Sequence, residues 1–158
     1  FEKALKKFLK KKTKIVGAER TDKGVHAASQ FAHFKSKKNI VNKQTIININ
    51  NFFLKEKLIF ISEIKEKNKK FHARHHAKER IYEYQITNRQ GSLSIDKDKS
   101  WHIKKKIDLN LIKKGAKILE GTHDFSTFRA SSCSAKSPIK KMNLVKVKKK
   151  GDKIFIKF

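Results

Sequence analysis

Apolar residues recur along this chain in two rhythms, and the switch between them lays out its elements. Phe1, Ala4, Leu5, Phe8 and Leu9 fall at i, i+3, i+4, i+7 and i+8 with lysines between them. That spacing predicts an amphipathic helix that needs a sheet or a partner helix to cover its stripe. Thr13 to Ala18 reads as a strand and Gln30 to Lys35 as its return. Ile46, Ile47, Ile49, Phe52 and Phe53 suit a second helix over Asn42 to Leu54, and Leu58 to Ile64 alternates as a further strand. Lys35-Ser36-Lys37-Lys38 and Lys65 to Lys70 read as solvated connectors.

The second half repeats the mixture. Ile81 to Thr87 reads as a strand with Tyr82, Tyr84 and Ile86 on one face and Ile81, Glu83 and Gln85 on the other. A loop from Asn88 to Lys99 follows. Asp108 is the expected N-cap of a helix with the stripe Leu109, Ile112, Ala116 and Leu119, and Gly121 its C-terminal cap. Phe125 to Ala130 and a Ser-rich loop then lead to the only proline, Pro138. Val145 and Val147 alternate with lysines, Lys150-Gly151-Asp152 turns the chain, and Ile154 to Phe158 return. The order of elements predicts an α+β protein, with a mainly antiparallel sheet and helices on one face. Two halves, 1–74 and 75–158, are expected.

The most polar loop in this frame is Gly17-Ala18-Glu19-Arg20-Thr21-Asp22-Lys23-Gly24-Val25-His26-Ala27. It sits between two predicted strands, where a scaffold commonly holds reactive side chains. Asp-x-Gly is equally ordinary turn chemistry, so composition alone leaves both readings open.

Charge sharpens the picture. The 158 residues hold 41 Lys+Arg against 14 Asp+Glu, a formal net charge of +27. Such a surplus favours a polyanionic partner through counterion release. Mutational bias toward A/T-rich codons is the competing cause, since only Arg20, Arg74, Arg80, Arg89 and Arg129 are arginines. Length allows one core or two small halves sharing a sheet. The single Cys133 excludes an internal disulfide and makes a reducing, cytoplasmic setting the default. No apolar run is long enough to span a bilayer, and no leader resembles a signal peptide.

Most other constellations fall short of a chemistry. His72, His75 and His76 have helix-like spacing, yet no cysteine or nearby carboxylate completes a metal set. Ser131, Ser132 and Cys133 lie near His123 and Asp124 without a nucleophile elbow, and no Gly-rich phosphate loop is present. What remains is Asp22 beside Arg20, with aromatic and basic residues on several loops.

Four blocks together carry a resemblance. These are the Gly17 to Ala27 stretch, Phe71-His72-Ala73-Arg74, Arg80-Ile81-Tyr82-Glu83-Tyr84, and Asp124-Phe125-Ser126-Thr127-Phe128-Arg129-Ala130 with Cys133 and Ser137-Pro138 after it. In this order and approximate spacing the chain resembles the TruA-type tRNA pseudouridine synthases over nearly all its length. The resemblance implies a pseudouridine-synthase-like fold of two pseudo-symmetric halves flanking a catalytic cleft. It also implies a cofactor-free, metal-free isomerase that acts on uridine at positions 38 to 40 of the tRNA anticodon arm, working as a homodimer.

Residue by residue, Asp22 matches the family's catalytic aspartate, as nucleophile or as stabiliser of a glycal-type intermediate; a carboxylate suits either role. Arg20 matches a position that helps extrude the target base, a step needed before a stacked nucleotide can react. Its guanidinium would pair with Asp22 and favour the ionised carboxylate. Tyr82 matches the tyrosine that stacks on the uracil, with removal of the proton on carbon 5 as a second role. From the residues alone, Tyr82, Tyr84 and Ile86 read as an ordinary core-facing row, and Tyr84 keeps that reading. His72, Arg74 and Arg129 are assigned to RNA positioning. His26 is expected to brace the loop, and Gly24 to supply a backbone conformation or a close approach.

The family also has an earlier strand with a Tyr-Asp-Gly and Gly-Trp-Gln region, and a later Met-Val-Arg block, neither of which occurs here. The expectation is a central fragment with exposed sheet edges and a tendency to aggregate. A basic RNA-binding module without catalysis is the alternative function.

Overall fold

The computed structural model describes residues 2–54, 59–131 and 135–158. The chain divides into two compact units, Phe1–Lys78 and Glu79–Phe158. It is an α+β protein, with three α-helices and eight strands among the described residues.

The first unit holds α1 (Glu2–Leu9), β1 (Val16–Gly17), β2 (Ala32–His33) and α2 (Lys43–Phe53). Leu5 and Leu9 of α1 pack with Ile40 and with Ile49 and Phe53 of α2, and Phe8, Ile15, Phe34, Ile61 and Ile64 close around them. Burial of this apolar surface is what holds two short helices that would be marginal alone. Asn42 caps α2, its side chain accepting from Thr45 N at 2.8 Å. The buried face of α2 runs Thr45, Ile49, Phe53, so Ile47 and Phe52 of the expected stripe lie outward. Lys7 Nζ covers the Phe52 ring at 5.5 Å.

The expected strand over Leu58 to Ile64 does not form in the described part, residues 59–64, and Leu58 lies outside the described residues. The Asn50 side chain supplies the backbone partners of Ile61 instead. Both lysine-rich connectors are exposed.

In the second unit β3 (Glu83–Asn88), β4 (Trp101–Ile103), β7 (Lys146–Lys150) and β8 (Lys153–Lys157) form a sheet in the order β4-β3-β8-β7. Its pairings are antiparallel except β3 with β4, which is parallel, so the sheet is mixed. The parallel strand was not anticipated, because Trp101-His102-Ile103 is too short to show a period. Asn88 fixes its exit: Nδ2 donates to the carbonyls of Ile103 and Lys105, and Oδ1 accepts from Ile107 N. α3 (Leu109–Leu119) is capped by Asp108, which accepts from Asn110 N and Leu111 N. Ala116 of α3 is buried and Leu109, Ile112 and Leu119 are half-buried, as the stripe predicts. Gly121, at φ +105°, follows the helix and opens β5 (Gly121–Asp124), which pairs antiparallel with β6 (Ile139–Met142), a second pair the sequence did not announce.

Arg89 joins the loop after β3 to the β7–β8 turn. It meets Asp152 at 3.0 Å and donates to the carbonyls of Gly91 and Ser92. No helix among the described residues is long and apolar enough to cross a membrane.

Candidate functional site

The loop carrying Asp22 is closed at its neck by backbone pairing. Val16 lies opposite His33 and Gly17 opposite Ala32, and Ala18 N donates to Phe31 O at 2.8 Å. Gln30 Nε2 donates to Glu19 O at 3.0 Å. A Cβ on Gly17 would stand 3.0 Å from Glu19 O, so the fold-back of the chain there uses the missing side chain.

Within the loop, Val25 N donates to Asp22 O at 3.1 Å, which makes Asp22 to Val25 a β-turn. Gly24 stands at φ +86°, the left-handed value a type II turn needs at its third residue. Among the described residues nothing lies within 4 Å of a Cβ built on Gly24. The glycine therefore serves conformation and not packing within the chain. Arg20, Asp22 and His26 are all exposed. The expected ion pair between Arg20 and Asp22 is not among those formed by the described residues. Two solvated side chains gain little from such contact.

The return strand of this hairpin is tied to the segment after Lys70. Ala73 N donates to His33 Nδ1 at 3.2 Å, and the His33 ring meets those of Phe71 at 5.9 Å and His72 at 4.8 Å. His72 N and His76 Nδ1 are 2.9 Å apart, and His76 N donates to His72 O, so residues 72–76 form one closed turn. His72 packs on His75 at 4.2 Å. Its pKa lies below the ordinary 6.5, first because the ring is desolvated and then because His75, His33, Arg74 and His76 add positive potential. Its Nδ1 is buried and has no hydrogen-bond partner among the described residues. The fold thus joins His72 and Arg74 to the hairpin that presents Asp22. Among the described residues no group of three His, Cys, Asp or Glu side chains has the arrangement of a metal site.

Tyr82 and Arg129 lie in the second unit. Tyr82 extends β3 by one rung, since its N donates to Phe158 O at 2.7 Å and its O accepts from Phe158 N at 3.0 Å. Tyr82 and Tyr84 share a face with Ile86, as the alternation predicts, but only Ile86 is buried. Tyr84 is 59% exposed, so it is not a core residue of this unit. The sheet's buried end lies at Ile86 and Ile154, and the tyrosines stand beyond it.

Arg129 follows a single 3-10 turn, Ser126–Phe128, and its Nη2 donates to Ala135 O. Asp124 starts that turn by accepting from Ser126 N at 2.7 Å and Ser126 Oγ at 2.6 Å. Those bonds, the side-chain one first, hold its pKa below 3.8, and Arg129 adds to the effect. Ser132 and Cys133 lie outside the described residues.

Two residues that sequence reasoning did not single out, His33 and Phe158, emerge here. His33 falls inside the strand expected over Gln30 to Lys35, and Phe158 at the end of another; their roles depend on pairing across the chain.

No family model matches the chain. Among curated proteins it is 53% identical over 154 residues to tRNA pseudouridine synthase A of Pelagibacter ubique, covering 98% of this chain and 63% of that protein. The proteins of the same name from Neorickettsia sennetsu and Caulobacter sp. are 39% and 36% identical, over 97% and 99% of this chain and again 63% of each. By sequence, therefore, this chain is similar almost end to end to the tRNA pseudouridine synthases A, and it spans about 63% of the length of these relatives.

Proposed function

We propose that the protein carrying this chain isomerises uridine to pseudouridine in the anticodon arm of tRNA, at positions 38 to 40. It would do so without a cofactor, in the cytoplasm and as a homodimer. The observation that carries the reading is an exposed carboxylate, Asp22, on a glycine-dependent turn at the tip of a pinned hairpin, in a chain 53% identical to a tRNA pseudouridine synthase A.

In this reading Arg20 helps the target uridine leave the stack. Asp22 acts at the sugar or base while the glycosidic C–N bond breaks. The uracil rotates, carbon 5 bonds to the sugar carbon, and carbon 5 gives up its proton while the ring nitrogen released from the sugar takes one up, so the product is an isomer of the substrate. The exposed ring of Tyr82 suits stacking on the uracil, and His72, Arg74 and Arg129 position the RNA backbone. Halves 1–74 and 75–158 supply the aspartate loop and the tyrosine strand respectively.

The test is to express the complete reading frame containing this chain, incubate it with an anticodon-arm transcript, and map pseudouridine chemically. Product is expected with the wild type and not with Asp22→Asn, while transcript affinity is kept. Unchanged product in Asp22→Asn removes the residue from its role. Transcript binding without product in the wild type selects the non-catalytic RNA-binding module.

A further inference from the structure

Phe158 makes two ring contacts that nothing in the proposed reaction uses. It lies directly opposite Tyr82, with both backbone hydrogen bonds exchanged between them. Its ring is 5.9 Å from that of Tyr82, inclined by 33°, and 5.7 Å from that of Tyr84, inclined by 25°. The next two rungs of the ladder, Glu83 with Lys157 and Tyr84 with Ile156, put all three rings on one face of the β3–β8 ribbon. Phe158 therefore contacts both tyrosines, directly across from one and diagonally from the other, the two spacings at which strand side chains meet.

We infer that Phe158 is a positioning residue for Tyr82, with Tyr84 as the outer support of the same stack. The inference rests on the reading of Tyr82 as the ring that receives the uracil. Tyr82 is 44% exposed, so a large part of its ring stands clear of the core. An exposed strand tyrosine can occupy more than one staggered χ1 well, and only one points its face at a given base. A cross-strand ring closes the alternative wells before substrate arrives. The ordering cost is then met in folding and not in the reaction, and small misplacements of a reacting base are costly in rate. The same geometry accounts for an exposed Tyr84: its place is against Phe158, not in the core.

The experiment uses the complete reading frame containing this chain, with transcript affinity, single-turnover rate of pseudouridine formation, and thermal melting measured for each variant. Phe158→Leu removes the ring and keeps apolar bulk. It is expected to lower the single-turnover rate about tenfold, the size of one aromatic pair, with affinity unchanged. Phe158→Tyr, which keeps the ring, is expected to restore the rate. A Phe158→Leu rate equal to wild type overturns the inference, as does an affinity loss with the rate intact.

Should Phe158→Leu not fold, Tyr84→Leu carries the test. A smaller fall in rate at constant affinity is expected, and an unchanged rate overturns the inference. Asp22→Asn in the same series separates the two levels: full activity there defeats the proposed reaction, whereas its loss beside an active Phe158→Leu defeats only the brace.

Discussion

Asn50 holds the backbone of Ile61 by both of its polar groups: Nδ2 donates to Ile61 O at 2.9 Å, and Oδ1 accepts from Ile61 N at 2.7 Å. One side chain on α2 thereby does for the segment after it what a neighbouring strand would do. Ile61 is kept against the helical core while its donor and acceptor stay satisfied. Asn50→Ala should cost about 1 to 3 kcal/mol, because two part-buried groups lose partners. Asn50→Asp should also destabilise, since a carboxylate would face the Ile61 carbonyl with no proton to offer. Urea denaturation of the three proteins checks this, and equal midpoints would refute it.

Gly24 at φ +86° sets the turn that presents Asp22. Gly24→Ala should cost about 1 to 2 kcal/mol of backbone strain, with no steric clash added, since the Cβ would meet none of the described residues within 4 Å. Gly24→Asn should cost less, because asparagine tolerates the left-handed region. If the turn serves the carboxylate, pseudouridine formation should fall in the order Gly, Asn, Ala, while Lys23→Ala on the same turn stays near wild type. A flat series would detach the turn from the chemistry.

Asp108 caps α3 by accepting from two backbone N–H groups, at 2.8 and 3.2 Å. Asp108→Ala should destabilise by about 1 kcal/mol, and Asp108→Asn should recover most of it. Thermal melts decide the point, and an Asn variant no better than Ala would show that charge, not the hydrogen bonds, matters there.

Two groups fix the sign of a pH response. His72 titrates below 6.5 in the folded chain, so the unfolded chain takes up its proton first as pH falls. Its contribution is therefore complete above 6.5 and declines as pH drops below that value. Asp124 is held below 3.8, so its contribution is complete above 3.8 and is lost only in stronger acid. Denaturation midpoints followed from pH 8 to pH 3 should show the His72 part disappearing in His72→Gln and the Asp124 part in Asp124→Asn. An unchanged slope between pH 6.5 and 5 in His72→Gln would count against the histidine cluster as its source.

The sequence carried the helices well because each rests on local features. The stripe of α3, its Asp108 cap and the glycine after it all lie within a dozen or so residues, and they needed no partner to be recognised. The Lys150-Gly151-Asp152 turn was legible for the same reason. β4 and the β5–β6 pair were not, because their few residues have no period of their own and exist through partners elsewhere in the chain. The strand expected after Leu58 shows the converse: alternation announces a half-buried extended segment, but a side-chain amide can satisfy it as well as a ladder can.

At the candidate site, residue types pointed to Asp22 and its turn. The bond from Ala73 to His33 joins residues 40 apart, and no local pattern could announce it. Tyr84 read as core because strand alternation reports a face, not how far along that face the covering layer extends.

The strand order β4-β3-β8-β7 has a consequence for how the chain is made. β3 is translated early in the second unit, yet its antiparallel neighbour β8 leaves the ribosome only after α3 and four further strands have been synthesised. Until then one side of β3 has open hydrogen-bonding groups, and Tyr82 and Tyr84 have no Phe158 to lean on. The aromatic stack therefore cannot form until β8 has been made, and a ribosome stalled before residue 153 would display the tyrosines without their support.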